Sequence, residues 1–528
     1  MKSRHHVPLL VRSFARMSTV CLIAGHAISA AELKYTLAPE AENSQLGSNT
    51  IAVGDLNDDG VPEIAVADQS YSAEGTIFAS GIVYLLDGAD GSLIRSYQGS
   101  RERFLNFGFS LATLNADDDG VPDLAVGSVG ELDATGVAAG AVWIYSGADG
   151  SVISTTIGPA ASAYGSSLAN AGDQDGDGLD ELFVGASRAN GSQGAVVLQS
   201  SIDGSPIWSI GTDVSRSSFG TSVIALDDID GDTLADFAVT APDYRGANGE
   251  SGRVLIYQSS DQQQVAEVFG TGYFGFSIAA VEDANEDGLR DLMVGSRYWG
   301  VCQLLSGSDL SLIADISIPT ANLYQPLTAG GGFDADGDGI SDWLLGSSGL
   351  TEVDGQIFGG VRIISGVDQS VLFSADGDAG FGKRLSVLPG LGIAIGDTIA
   401  QEPNTPPMDS VQLWEFEQFD EPDSIPDTDG DGVSDDIDVV INSDTSPTLV
   451  LLGVDSGVEN FVDENGRTLA DRFSRFTDPT NKRQAFRYLL RISFKAMVLQ
   501  RRDIISRSDA RAIGRAAFRG AISYIRNN

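Results

Sequence analysis

Short apolar runs of four residues recur along most of the chain, separated by segments rich in Gly, Asp and Ser. The clearest are Ile64–Ala67, Leu124–Gly127, Leu182–Gly185, Phe237–Thr240, Leu292–Gly295 and Trp343–Gly346. They are continuous rather than alternating, which fits a strand buried on both faces. Three further runs accompany each of them in constant order. One opens with an aromatic-Gly pair (Phe107-Gly108, Tyr164-Gly165, Phe219-Gly220, Phe274-Gly275, Phe381-Gly382), which predicts a sharp backbone bend. Another begins with Gly, as in Gly81–Tyr84, Gly140–Trp143, Gly252–Leu255 and Gly360–Ile363. The last follows a tight turn, as Ser92–Arg95 follows Ala89-Asp90-Gly91.

Four short strands per unit, in units whose starts lie 51 to 60 residues apart, predict a mainly β fold, a seven-bladed β-propeller. Leu385–Leu388 and Gly392–Gly396 supply the seventh unit. That unit ends at Val411–Phe416 without a fourth strand, whereas Leu33–Leu37 stands 60 residues before the fourth strand of the first unit, Leu93–Tyr97. Free sheet edges pair with other chains, so residues 33–37 are expected to complete the last blade.

Between the first two runs of six units lies one polar pattern, Asp/Asn-x-Asp/Asn-x-Asp-Gly-x-x-Asp/Glu. Its acids and amides are Asp55, Asn57, Asp59, Glu63; Asn115, Asp117, Asp119, Asp123; and Asp173, Asp175, Asp177, Glu181. The later copies are Asp228, Asp230, Asp232, Asp236; Asp283, Asn285, Asp287, Asp291; and Asp334, Asp336, Asp338, Asp342. Thr233 replaces the Gly in the fourth copy. Carboxylates this close repel unless a cation cancels their charge, and Ca²⁺ takes six to eight oxygens in loose geometry. Positions one, three, five and nine offer side-chain oxygens. Position seven (Val61, Val121, Leu179, Leu234, Leu289, Ile340) offers a carbonyl, as in an EF-hand. Position twelve, the bidentate Glu of an EF-hand, is here Val66, Val126, Val184, Val239, Val294 or Leu345. The acid at nine must therefore finish the shell.

These motifs resemble the FG-GAP repeats, best known from the heads of integrin α subunits. The resemblance spans residues 33–419 and includes Ala241-Pro242 after the fourth apolar run. It implies a seven-bladed propeller with calcium at the loops of one face. In integrins the opposite face helps to bind extracellular ligands and the partner subunit. Integrins carry acidic loops in only some blades, and this chain shows neither an integrin stalk nor a transmembrane helix. It is more similar to a bacterial secreted FG-GAP protein, so no ligand-contact residue carries over. Asp68-Gln69-Ser70-Tyr71-Ser72 matches the cation motif of adhesion I-type domains, but the doubly wound sheet which that motif needs is absent, and it is read as a chance match.

Charge divides the chain of 528 residues further. Its net −42 combines 13 basic and 70 acidic residues between Glu32 and Asn465 with 15 basic and 4 acidic residues from Gly466 onward and four basic residues before Glu32. The acidic body repels nucleic acid and anionic lipid. Residues 1–31 read as a signal peptide: Lys2, Arg4, Arg12 and Arg16, then apolar Val20–Ile28, then Ser29, Ala30 and Ala31. Its removal takes His5, His6, His26 and Cys21, leaving no histidine and only Cys302, read as core. Ser-His-Asp and Cys-His catalysis and His/Cys metal sites are thereby excluded.

The propeller is assigned to 32–419 and an acidic linker to 420–447. In that linker Asp427, Asp429, Asp431, Val433 and Asp435 resemble one thrombospondin type 3 calcium repeat. Residues 448–528 read as a basic helical domain, with helices at about 468–476, 478–502 and 508–525. Its basic stripe suits electrostatic contact with an anionic surface or with the propeller.

The expectation is a secreted, cell-surface or periplasmic calcium-binding module for interaction or adhesion, with about six ions in the propeller and one in the linker. Its partner is an extracellular protein or glycan. The alternative is an extracellular hydrolase or lyase acting on polysaccharide or phosphoester through loop carboxylates. The longer loops Gln69–Ser80, Gly130–Ala139 and Pro242–Ser251 carry no matched acid/base pair.

Overall fold

A computed structural model describes residues 9–12, 31–39, 44–416 with short gaps (the longest at 318–327), 448–451, 454–459 and five positions between 511 and 519. The chain divides into two compact units, Met1–Gln418 and Phe419–Asn528. In the first, seven antiparallel sheets follow one another as blades. The first blade is Leu46–Gly54, Glu63–Asp68, Ile82–Leu86 and Leu93–Tyr97. The fourth is Val223–Ala225, Phe237–Thr240, Arg253–Tyr257 and Gln264–Phe269. The fifth is Phe274–Val281, Asp291–Ser296, Val301–Leu305 and Leu312–Ser317. The first strands of successive blades touch, and the seventh touches the first, which closes the ring.

The continuous apolar runs are explained by the seams between blades. Ile64 and Val66 enter a core shared with Leu388, Ala394, Val411 and Leu413 of the seventh blade, whereas Ala65 and Ala67 face Leu124 and Val126 of the second. Leu182 and Val184 likewise face the second blade while Phe183 packs on Phe237 and Val239 of the fourth. A second strand therefore has no solvent face, and every one of its side chains serves one seam or the other.

Backbone contacts stitch the same seams. Gly81, Gly140, Gly194 and Gly252 form parallel bridges to Phe107, Tyr164, Phe219 and Phe274 of the next blade. A Cβ on Gly194 would lie 1.9 Å from the Phe219 carbonyl oxygen, so only glycine admits the approach. The glycines after the aromatic residues take φ of +76° to +86°, the bend that the pair predicts.

Ring closure follows the expectation. Ala31–Pro39 pairs with Met408–Phe416 as the fourth strand of the seventh blade, with Tyr35 opposite Leu413 and Leu37 opposite Val411. The Tyr35 hydroxyl donates to the Gly88 carbonyl of the first blade at 3.3 Å. Leu9–Arg12, inside the segment read as a leader, adds a fifth, outermost strand.

The helical reading of 448–528 meets a hairpin at its start, Thr448–Leu451 with Val454–Glu459. β-branched Thr448, Val450, Val454 and Val458 favour strands there. The helices expected at 468–476 and 478–502 and the linker loop at Asp427–Asp435 lie outside the described residues. Within 508–525, Arg511–Ile513, Arg515 and Arg519 are helical. Cys302 is fully buried in the fifth blade, as a core residue is.

Leu37 is fully buried at the closing seam. Leu37→Ala is expected to cost about 2–5 kcal/mol, read as a lower urea midpoint at unchanged slope. A loss under about 0.5 kcal/mol would mean that this strand does not close the ring.

Candidate metal centre

Strands alternate in direction, so the connections between first and second strands and between third and fourth all lie at one face of the ring. The acidic loops are the former. Each winds on its own carboxylates. In the first loop, Asp55 accepts the N–H groups of Asp59 (3.2 Å) and Gly60 (2.8 Å), and Asp59 accepts that of Val61 (2.8 Å). The third loop repeats this with Gly178 on Asp173 (3.1 Å) and Leu179 on Asp177 (2.9 Å). The fifth does so with Gly288 on Asp283 (2.6 Å) and Leu289 on Asp287 (2.9 Å). Val121 and Leu234 donate in the same way to Asp119 and Asp232. The amide of position seven is thus spent inside the loop, and its carbonyl is what that residue has left to offer.

Position nine differs from the rest. Glu63, Asp123, Glu181, Asp236, Asp291 and Asp342 are all buried, at or beside the start of the second strand. One oxygen accepts the N–H of loop position two: Leu56 on Glu63, Ala116 on Asp123 at 2.7 Å, Gln174 on Glu181 at 2.7 Å, Ile229 on Asp236 at 2.9 Å. Ala284 on Asp291 at 2.7 Å and Ala335 on Asp342 at 2.9 Å complete the series. In the aspartates the second oxygen accepts an amide from the turn between third and fourth strands: Gly147, Ser259, Gly307 or Gly366, at 2.9 to 3.1 Å. Position nine is therefore a structural tie between loop and turn as well as a candidate ligand.

Burial, reinforced by neighbouring loop carboxylates, pushes Asp123, Asp236 and Asp291 up to about 6 and Glu181 up to about 7. The donor set fits a hard divalent cation. Asp117, Asp119 and Asp123 each bring one oxygen within 4.8 Å of the others, as do Asp173, Asp175 and Glu181, and Asp228, Asp230 and Asp236. Oxygens about 2.3–2.6 Å from one shared ion span no more than about 5 Å. Glu63 Oε1 is buried with no hydrogen-bond partner among the described residues, an oxygen that a cation would satisfy. Asn57 and Asn285 take carboxylate places in the first and fifth loops. Asp336 and Asp338 lie outside the described residues, while Asp334 and Ile340 are exposed beside them.

Adjacent loops are also laced together, which no motif announced. Asn115 and Asp180 exchange two bonds, the Asn115 N–H to the Asp180 carboxylate and the Asp180 N–H to the Asn115 carbonyl, each 2.8 Å. Gln174 donates to the Ala235 carbonyl at 3.0 Å, and Arg290 pairs with Asp227 through N–H (2.7 Å) and Nε (3.1 Å). Asp68, of the I-type motif match, is buried and accepts from Ser44 Oγ (2.5 Å), Gln45 N–H (2.9 Å) and Ser70 N–H (3.0 Å). It fastens the chain where it enters the first blade.

The blades, the aromatic-Gly seams and the acidic loops define an FG-GAP, integrin-α-like propeller. The FG-GAP repeat family matches residues 219–257. Human integrin alpha-E is 30% identical over 164 residues, covering 26% of this chain and 14% of its own length. Integrin alpha-5 of Xenopus laevis is 27% identical over 213 residues (36% and 20%), and human integrin alpha-10 is 32% identical over 177 (30% and 14%). The chain thus spans a fifth or less of these relatives. The solved structure of BBS1N in complex with ARL6DN aligns with 71% of this chain and 93% of its own at 10% identity and a TM-score of 0.42. No helix among the described residues is long and apolar enough to cross a membrane.

Two predictions follow from the loop geometry. Thr233 holds φ +82°, a left-handed conformation that a β-branched residue resists. Thr233→Gly is expected to stabilise the protein by roughly 0.5–1 kcal/mol, net of glycine's greater unfolded-state entropy, in urea unfolding; a destabilised variant would show that the threonine makes a compensating contact. The second concerns pH. An acid with a raised folded pKa favours folding below its ordinary value near 4 and loses that contribution as pH climbs through 6 to 7. In chelator the melting temperature is therefore expected to fall between pH 5 and pH 8, and to fall less in Glu181→Gln. Parallel profiles would remove Glu181 as a contributor.

Proposed function

We propose that this chain is a secreted calcium-binding propeller serving as an extracellular interaction or adhesion module. The observation that carries the calcium reading is the meeting of three carboxylates in each of three loops, with the same motif in register in the others. An all-oxygen donor set of irregular carboxylate, amide and carbonyl groups suits Ca²⁺ better than the strict octahedron of Mg²⁺. Asp55, Asn57, Asp59 and Glu63 with the Val61 carbonyl would hold one ion, and the matching residues of the other five loops one each. The linker set Asp427, Asp429, Asp431, Val433 and Asp435 would hold a seventh. Calcium supplies charge neutralisation there; the chain's own carboxylates and amides set the loop shape.

Interaction rather than catalysis is supported by the integrin-like repeats and by the commitment of the recurrent carboxylates to loop structure. The signal-like residues 1–31 support export, to the medium, cell surface or periplasm. An extracellular protein or glycan is the expected partner, and the basic tail suits contact with an anionic surface or with the propeller.

Calcium titration of the chelated full chain, followed by melting temperature and by capture of surface proteins from an extract, tests both halves. Calcium is expected to raise the melting temperature reversibly, by less in Asp175→Asn, and to increase capture. An unchanged melting curve rejects the metal role, and capture that ignores calcium rejects its link to binding.

A further inference from the structure

The face opposite the acidic loops carries a cavity of about 500 Å³ where the fourth blade meets the fifth. Its walls are Gly249, Ser251, Thr271, Gly272, Tyr273 and Tyr298. They come from the loop between the second and third strands of the fourth blade, the crossing into the fifth blade, and the matching loop of the fifth. Hydrogen bonds hold the walls in place. The Tyr298 N–H donates to the Gly272 carbonyl at 3.0 Å and the Tyr273 N–H to Ser251 Oγ at 3.1 Å. The two tyrosine rings stand perpendicular, with centroids 5.3 Å apart.

Two arginines stand over these rings. The Arg245 guanidinium lies 4.1 Å from the Tyr273 centroid and donates to Ser251 Oγ at 2.8 Å. The Arg297 guanidinium lies 5.6 Å from the Tyr298 centroid. Both are exposed, and neither forms an ion pair among the described residues. The nearest acid in sequence to Arg245, Asp243, accepts from Ser218 Oγ at 2.7 Å, and Glu250 is turned into its own loop, accepting from the Asn248 N–H and Nδ2, each at 2.9 Å. In a body with 70 acidic and 13 basic residues, a cavity without a carboxylate in its walls and with two arginines beside it is a local reversal of charge.

We infer that this cavity binds an acidic peptide segment of a partner protein, with glutamate or aspartate carboxylates meeting Arg245 and Arg297 and the intervening chain lying on Tyr273 and Tyr298. Arginine stacked on an aromatic ring is already ordered, so little freedom is lost on pairing with a carboxylate. Half-buried tyrosine beside exposed arginine is the composition of interface hot spots, and the volume suits a few side chains. Tyr273 keeps φ +62°, which holds its ring at this position at a cost to the backbone. The inference deepens the interaction-module reading and rests on it.

The test is titration of the calcium-loaded full chain with a capped tetraglutamate peptide at about 0.15 M salt, where the charge of the body is screened beyond about 8 Å. Binding is expected to weaken about tenfold in Arg245→Ala and in Arg297→Ala, with melting temperatures unchanged, and to weaken in Tyr273→Asn, whose new residue accepts the left-handed backbone. Peptide held by the basic tail survives all three substitutions, so equal affinity across the variants overturns the inference, as does absence of binding. Arginine-dependent binding of tetragalacturonate without binding of the peptide also overturns it, in favour of an acidic glycan. A silent titration leaves the calcium response intact, whereas failure of the calcium reading appears in the melting curves.

Discussion

The second strand of each blade has no face left for water, and the rest of the propeller is arranged around that fact. In the first blade Ile64 and Val66 belong to one seam and Ala65 and Ala67 to the next. A strand buried this way cannot be stable in a lone blade, because each of its faces needs a neighbour's apolar side chains. The ring is therefore the smallest arrangement that leaves no such face exposed. Closure by Ala31–Pro39 matters for the same reason: Tyr35 and Leu37 complete the seam that contains Leu46, Ile64 and Val411.

Six of these seven strands begin beside a buried acid, which in isolation is a costly choice. Asp123 shows how the cost is offset. One of its oxygens takes the Ala116 amide and the other takes the Gly147 amide, so the carboxylate orders a loop and a turn at once. Glu63 and Glu181 reach one carbon further. Glu63 still takes the Leu56 amide but leaves its other oxygen without a partner. The charge that organises the loop is thus incompletely satisfied by amides, and the same oxygens that fold the loop converge on a point where a cation would complete it. Folding and the fit to a cation are two consequences of one placement.

Much of this was legible in the sequence because it depends on residue type at fixed spacing. Continuous apolar runs announce two-sided burial, aromatic-Gly pairs announce the bend, and the missing fourth strand of the last unit announces the pairing of residues 33–37. The dual role of position nine was not legible, because the motif places the acid but not the turn that Gly147 brings to it from 24 residues away. The lacing between loops was hidden for a similar reason. Asn115 with Asp180, Gln174 with Ala235 and Arg290 with Asp227 are 61 to 65 residues apart, and each seam uses a different residue pair. The hairpin at 448–459 precedes the basic and apolar stripes that point to helix, and only the β-branched residues at its start point to strands.

The two faces of the ring are consequently under different constraints. At the loop face, each described carboxylate of the motif has an amide, a neighbouring loop or a candidate cation to answer to, so substitutions there act on stability first. At the opposite face the connections carry no recurrent carboxylate pattern, and their backbone is pinned where it crosses a seam, as Gly252 is by the backbone of Phe274. Arg245, Tyr273, Arg297 and Tyr298 occur in these connections. A scaffold whose folding is settled at one face leaves the chemistry of the other open to vary, and at the fourth and fifth blades that chemistry is cationic and aromatic in a body that is otherwise acidic.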